Sequence, residues 1–165
     1  MSNKLIFLCL LVLSTQCSGF EWNDFIEGAL EGLSVDNPEK CTKDCKESID
    51  DFENAFESFS CDSMDNLKQS LYSFGDGFNA LASGLDSCGI TEMAEDIAEM
   101  ASGFYDGMEE IELGVKIVCK GIDIYDDLKS AREAYEYGNA GEAGEEIGSL
   151  IKLLMWCDFI YDKYT

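Results

Sequence analysis

The sequence has no histidine, a single proline, and 11 basic residues against 34 acidic ones. Each shortage excludes something. Without imidazole there is no Ser-His-Asp or Cys-His nucleophile and no His-containing metal site. With so few Lys and Arg, a nucleic acid or an anionic membrane surface would repel the chain. The only proline, Pro38, follows Asn37 at a helix start, where its missing N–H costs nothing. After the N-terminal leader no run of eighteen uninterrupted apolar residues occurs; the longest candidate, Ile147–Tyr161, is broken by Lys152 and Asp158. The mature chain therefore has no membrane span. Asn-x-Ser/Thr is also missing, so ordinary N-glycosylation is not expected.

What is present begins with an export signal. Lys4 gives a basic start, Leu5–Leu13 is an apolar run, and Cys17, Ser18 and Gly19 offer small residues for cleavage before Phe20. Residues 1–19 read as a signal peptide and 20–165 as a single helical domain. The destination is the extracellular space or the endomembrane lumen. Cleavage removes Lys4 and leaves a net charge of −24 (34 acidic, 10 basic). A solvated, mutually repelling acidic surface of this kind keeps a secreted protein soluble.

Eight cysteines occur, and Cys9 and Cys17 leave with the signal. The even remainder in an exported chain reads as three disulfides drawn from Cys41, Cys45, Cys61, Cys88, Cys119 and Cys157. Zinc competes only at Cys41 and Cys45, one helical turn apart, but no second close pair accompanies them. In a simple up-and-down bundle Cys41, Cys45 and Cys88 fall toward one end, and Cys61, Cys119 and Cys157 toward the other. Pairs within an end are Cys41–Cys88 and Cys61–Cys119, leaving Cys45 and Cys157. Since bridged Cα atoms lie about 4.4–6.8 Å apart, that last pair needs a broken helix, a crossover, or a second molecule.

The helical signal is strong. Ile97, Ala101, Phe104, Met108, Ile111, Val115, Val118 and Ile122 alternate steps of four and three, one apolar face of a helix over Thr91–Gly121. Such a helix would be on the order of 45 Å long and would be the element around which the others pack. Shorter stripes repeat the pattern. Trp22, Phe25, Ile26, Ala29, Leu30 and Leu33 form the first. Cys41, Cys45, Ile49, Phe52, Phe56 and Phe59 mark a helix over Pro38–Phe59. Leu67, Leu71, Phe74, Phe78, Leu81 and Leu85 follow Met64, with Ser63 as cap and Gly75-Asp76-Gly77 a candidate kink. Ile124, Leu128, Ala131 and Tyr135 precede Gly138. Ala140, Ala143, Ile147, Leu150 and Leu154 lead to Cys157 and Tyr161. No stretch reads as strand. The expected fold is all-α, a disulfide-stapled bundle of about six helices. Glycines four apart (Gly28 and Gly32, Gly103 and Gly107, Gly144 and Gly148) point to close backbone approach between helices, the intervening acids arguing against lipid.

No residue set reads as catalytic, cofactor-binding or metal-ligating. Ser149-Leu-Ile-Lys152 spells S-x-x-K without its partner motifs and within a core helix. Asp123, Asp126 and Asp127 lack the EF-hand's glycine and terminal glutamate. Cys41-x-x-x-Cys45 resembles the six-cysteine insect odorant-binding proteins, but their later close Cys pair is missing. The run YGNAGEAGEEIGSL from Tyr137 to Leu150 resembles a terminal segment of uncharacterised secreted helical proteins of single-celled eukaryotes. That resemblance implies secretion and an all-α fold and no activity. The expected function is non-enzymatic: binding or assembly with an unidentified protein. The alternative is a carrier enclosing a small lipid-like apolar ligand among the Phe, Met and Tyr of the inner faces.

Overall fold

The computed structural model describes residues 19–59, 63–111, 118–119 and 122–164; the side chains of residues 64, 103, 104, 106–126 and 157–164 lie outside that description. Residues 1–18, which fall within the segment 1–19 read as a signal peptide, are likewise outside it. Six α-helices occur among the described residues: α1 (Trp22–Gly32), α2 (Ile49–Ser58), α3 (Met64–Ser87), α4 (Thr91–Ile111), α5 (Ile124–Glu136) and α6 (Ala140–Tyr164). The all-α expectation and its six helices hold. Two details differ. A two-residue antiparallel ladder, β1 (Val118–Cys119) with β2 (Ile122–Asp123), stands between α4 and α5. The long helix read over Thr91–Gly121 is described as far as Ile111; its later stripe positions Val118 and Ile122 are ladder residues, and Val115 lies outside the described residues. Apolar spacing alone does not separate a continuous helix from a helix followed by a tight hairpin.

The helix read over Pro38–Phe59 is also broken. Pro38–Lys40 and Asp44–Ser48 are 3₁₀ turns, and only Ile49–Ser58 is α-helical. Two causes are visible. The Ser48 hydroxyl donates to the Cys45 carbonyl at 2.7 Å, a local bond that competes with the α ladder. Cys41 is tied to Cys88 by a disulfide with Cα atoms 5.5 Å apart. The first turns are thus pinned to the end of α3.

Helix ends follow local chemistry. Three helices close with the Schellman pattern, in which the two residues past the cap donate back to the last turn. Gly89 (φ 91°) and Ile90 do so after α3, donating to Asp86 and Leu85. Gly138 (φ 76°) and Asn139 do so after α5, donating to Tyr135 and Ala134. After α1 the left-handed position is filled by Ser34 (φ 64°), and Val35 donates to Leu30. Ser63 caps α3 as expected, accepting from the Asn66 N–H. Thr91 is the first residue of α4, where the sequence pattern began it.

The stripes read from the sequence form the core. Phe25, Ile26, Leu30, Phe52, Phe56, Phe74, Phe78, Leu81, Leu85, Ile97, Leu128, Ala131, Ile147 and Leu150 are all buried. The most extensive interface joins the first and last helices, α1 and α6; α3 packs on α4, α2 on α3, and α5 on α6. The α1–α6 seam is built from glycine. A Cβ on Gly28 would strike the Gly141 carbonyl, and one on Gly32 would lie 2.5 Å from the Glu145 carbonyl oxygen. From the other side, Gly144 faces the backbone of Phe25 and Ala29, and Gly148 the carbonyl of Ala29. Gly28/Gly32 and Gly144/Gly148 therefore serve one purpose, backbone-to-backbone approach. Both lists ascend together, so α1 and α6 run parallel. Strict up-and-down alternation of six helices would make them antiparallel.

Gly75 and Gly77 do not interrupt α3. They admit rings from opposite neighbours: a Cβ on Gly75 would lie 2.7 Å from the Tyr105 ring, and one on Gly77 2.9 Å from Phe52. The interior itself is ring on ring. Phe25 meets Phe52 at 5.1 Å, Phe56 meets Phe74 at 5.2 Å, and Tyr135 stacks on Phe56 at 4.8 Å between centroids, all within the range of favourable aromatic pairs.

Candidate binding surfaces

Six cysteines were the only candidate site residues legible in the sequence. Cys41 and Cys88 are bonded as expected. Cys45 is not bridged. It is a buried free thiol whose Sγ lies 3.9 Å from the Leu81 carbonyl. Its physical setting explains this. Cys45 sits against Gly84, where an added Cβ would come 2.6 Å from the Cys45 Cα, so the sulfur is sealed under α3. Burial first, and the Asp44 carboxylate second, push its thiol up to about 12. It is therefore no nucleophile in the folded chain. Cys61, and the side chains of Cys119 and Cys157, lie outside the described residues.

Two surface features have enough chemistry to bind something, and sequence reading found neither. The first lies over the glycine seam. Asp24, Glu27 and Glu31 of α1 and Glu142 and Glu145 of α6 line a groove of about 570 Å³ floored by Gly28 and Gly141. Among the described residues no group of three or more His, Cys, Asp or Glu side chains is arranged to hold a metal ion. The carboxylates here are dispersed along two helix faces.

The second follows the α3–α4 seam. Asn79, Ala82, Ser83 and Asp86 of α3 face Thr91, Ala94, Glu95 and Ala98 of α4 across a groove of about 520 Å³. Beyond Asn79 the seam is closed by Tyr105. Its hydroxyl donates to Asp76 Oδ1 at 2.5 Å and accepts from the Asn79 amide at 3.4 Å, while its ring stacks on half-exposed Tyr72 at 6.1 Å. Burial, then the Asp76 hydrogen bond and charge, raise the Tyr105 phenol above its usual range, so it stays protonated. Asp51, on α2, is also raised, first by burial and then by Asp76 and Asp50. The Tyr135 phenol is raised by burial and by Glu57 and Glu53. All these shifts favour the uncharged form, and none activates a nucleophile. A signal for the second groove did exist: Ala94 and Ala98 are four apart and lie off the Ile97–Ala101 stripe.

Comparison with known proteins fits a secreted protein. The profile of the SctB-like family, "Secreted protein B-like", matches residues 14–156. The chain belongs to this family. The match extends far beyond the C-terminal run that first carried the resemblance. "Secreted protein A" of Dictyostelium discoideum is 25% identical over 143 residues, covering 78% of this chain and 80% of that protein. "Secreted protein C" of the same organism is 29% identical over 153 residues, covering 81% of this chain and 31% of that protein. The chain thus spans about a third of the second relative. No solved structure matches. The family and both relatives are named as secreted, which supports an extracellular location. Among the described residues no helix is long and apolar enough to cross a membrane.

Proposed function

We propose that this member of the SctB-like family is a non-enzymatic secreted protein that works through its outer surface, by binding or assembly, and does not enclose a ligand. The observation that carries this reading is the packing of the phenylalanines. Phe25, Phe52, Phe56, Phe59, Phe74 and Phe78 are the residues a lipid cavity would need as lining, and all are fully buried against one another. Among the described residues, the space between the helices is occupied by these rings. The absence of any imidazole, together with the raised thiol and phenols, supports the non-enzymatic part of the reading.

The test is to recover the protein from the medium of the cells that secrete it and measure its mass by light scattering across a dilution series. Association with a second protein, or with copies of itself, is expected. A strictly monomeric species without companions at every concentration would overturn the proposal.

A further inference from the structure

We infer that the α3–α4 groove is a docking surface for a basic amphipathic helix of a partner protein. The inference rests on the surface-binding reading above and gives it a location and a partner chemistry. Three observations converge. The floor is alanine: Ala82 and Ala94 are buried and Ala98 is exposed between the two helices. Small side chains let a third helix approach to the ordinary interaxial distance of about 8–10 Å. The walls are helices whose backbone groups are already paired within themselves. This groove has no strand in its walls for an extended peptide to pair with, which leaves side-chain packing as the mode of recognition.

The rim supplies the sign. Asp86 on α3 and Glu95 on α4 stand on opposite walls, where they flank an occupant on both sides. Asn79, Ser83 and Thr91 add neutral hydrogen-bonding groups. The two groove helices bring almost no opposing charge of their own: α4 contains no Lys or Arg, and the only one in α3, Lys68, lies eleven residues before Asn79. A second copy of the mature chain carries the same net charge of −24 (34 acidic, 10 basic) and is repelled. A cationic helix has the opposite requirement. Its apolar face rests on the alanines while lysine or arginine stems reach sideways to the two walls.

The probe is a synthetic Lys/Leu/Ala peptide of roughly 18 residues, about five helical turns, with a scrambled isomer of identical composition that has no apolar face. Binding to the oxidised full-length mature protein is measured by calorimetry. The amphipathic peptide is expected to bind more tightly than its isomer. Filling the groove with Ala98→Trp, at an exposed position the fold tolerates, should weaken binding by about tenfold or more. Gln69→Trp, on the exposed face of α3 away from the groove, should leave it unchanged. Asp86→Lys with Glu95→Lys should weaken binding by at least the same factor. The matched pair Glu31→Lys with Glu145→Lys, which changes net charge equally at the other groove, should cost less than about threefold. Equal binding of the scrambled isomer, or equal losses from the two charge pairs, would mean diffuse attraction and overturn the inference. So would unchanged binding in Ala98→Trp. Failure of the peptide to bind while the native complex still forms would sink the groove assignment and leave the surface-binding function standing.

Discussion

Gly144→Ala is the substitution that most directly interrogates the packing of this fold. In an isolated helix it should stabilise by roughly 1 kcal/mol, because alanine is the better helix former. Here the new methyl would meet the Phe25 carbonyl, with the Ala29 nitrogen at 2.8 Å and the Phe25 carbonyl carbon at 2.9 Å. All three are backbone atoms of α1 and cannot swing aside. Relief requires α1 and α6 to separate by on the order of 1 Å, and a gap of that size forfeits a quarter to a half of the dispersion energy along the seam. Overpacking of this kind costs typically about 1–3 kcal/mol, occasionally more. Since the neighbouring contacts at Gly28, Gly32 and Gly148 loosen together, we expect a net loss of about 2–4 kcal/mol, or roughly 5–12 °C in Tm. Urea and thermal unfolding of the oxidised protein, followed by circular dichroism, read both. Gly141→Ala is the internal control. It lies on the same helix, nothing stands within 4 Å of its added methyl, and it should be neutral or stabilise by up to about 1 kcal/mol. A Gly144→Ala protein as stable as the parent would refute backbone-to-backbone contact at this seam.

Other outcomes follow from the same structure. Replacing both Cys41 and Cys88 by serine opens a cross-link spanning 47 residues; chain entropy puts the loss at about 4 kcal/mol, and a shift in urea midpoint well below that would show the bond to be peripheral. The Cys45 thiol should react with iodoacetamide on the order of a thousandfold more slowly in the native protein than in urea at the same pH, because burial raises it to about 12; equal rates would contradict its burial. Asp51→Asn should stabilise the protein at neutral pH. The folded carboxyl is raised above its ordinary 3.8 by burial, Asp76 and Asp50, so its ionised form weakens the fold above that raised value and the penalty disappears below 3.8. The gain should therefore shrink as pH falls, and a pH-independent difference would disprove the assignment.

Much of the fold was readable from spacing. The steps of three and four placed Phe25, Phe74, Leu128 and Ile147 in the core, and Gly89 and Gly138 closed their helices, because one buried face and a left-handed cap are local properties. What failed depended on contacts distant in the chain. Val118 and Ile122 continue the stripe of α4 in sequence yet belong to a hairpin ladder, since periodicity carries no information about where a helix stops. The 3₁₀ turns before Ile49 reflect, beside the local Ser48 bond, the bridge from Cys41 to Cys88, forty-seven residues on. Cys45 was read as bridged because its count was even, whereas its neighbour is Gly84. The α3–α4 groove left only the spacing of Ala94 and Ala98 as a trace, for a different reason: a depression is made by what two helices lack at their junction, and alanine is unremarkable in either helix alone.

The central claim is that the aromatic interior is full and the chemistry is outside. Native mass spectrometry of the protein taken directly from the secreting cells' medium tests it. The account predicts that, once any partner protein is dissociated, the chain has the mass of the mature polypeptide and no small molecule. A stoichiometric apolar adduct that survives that dissociation and is released only on unfolding would contradict it.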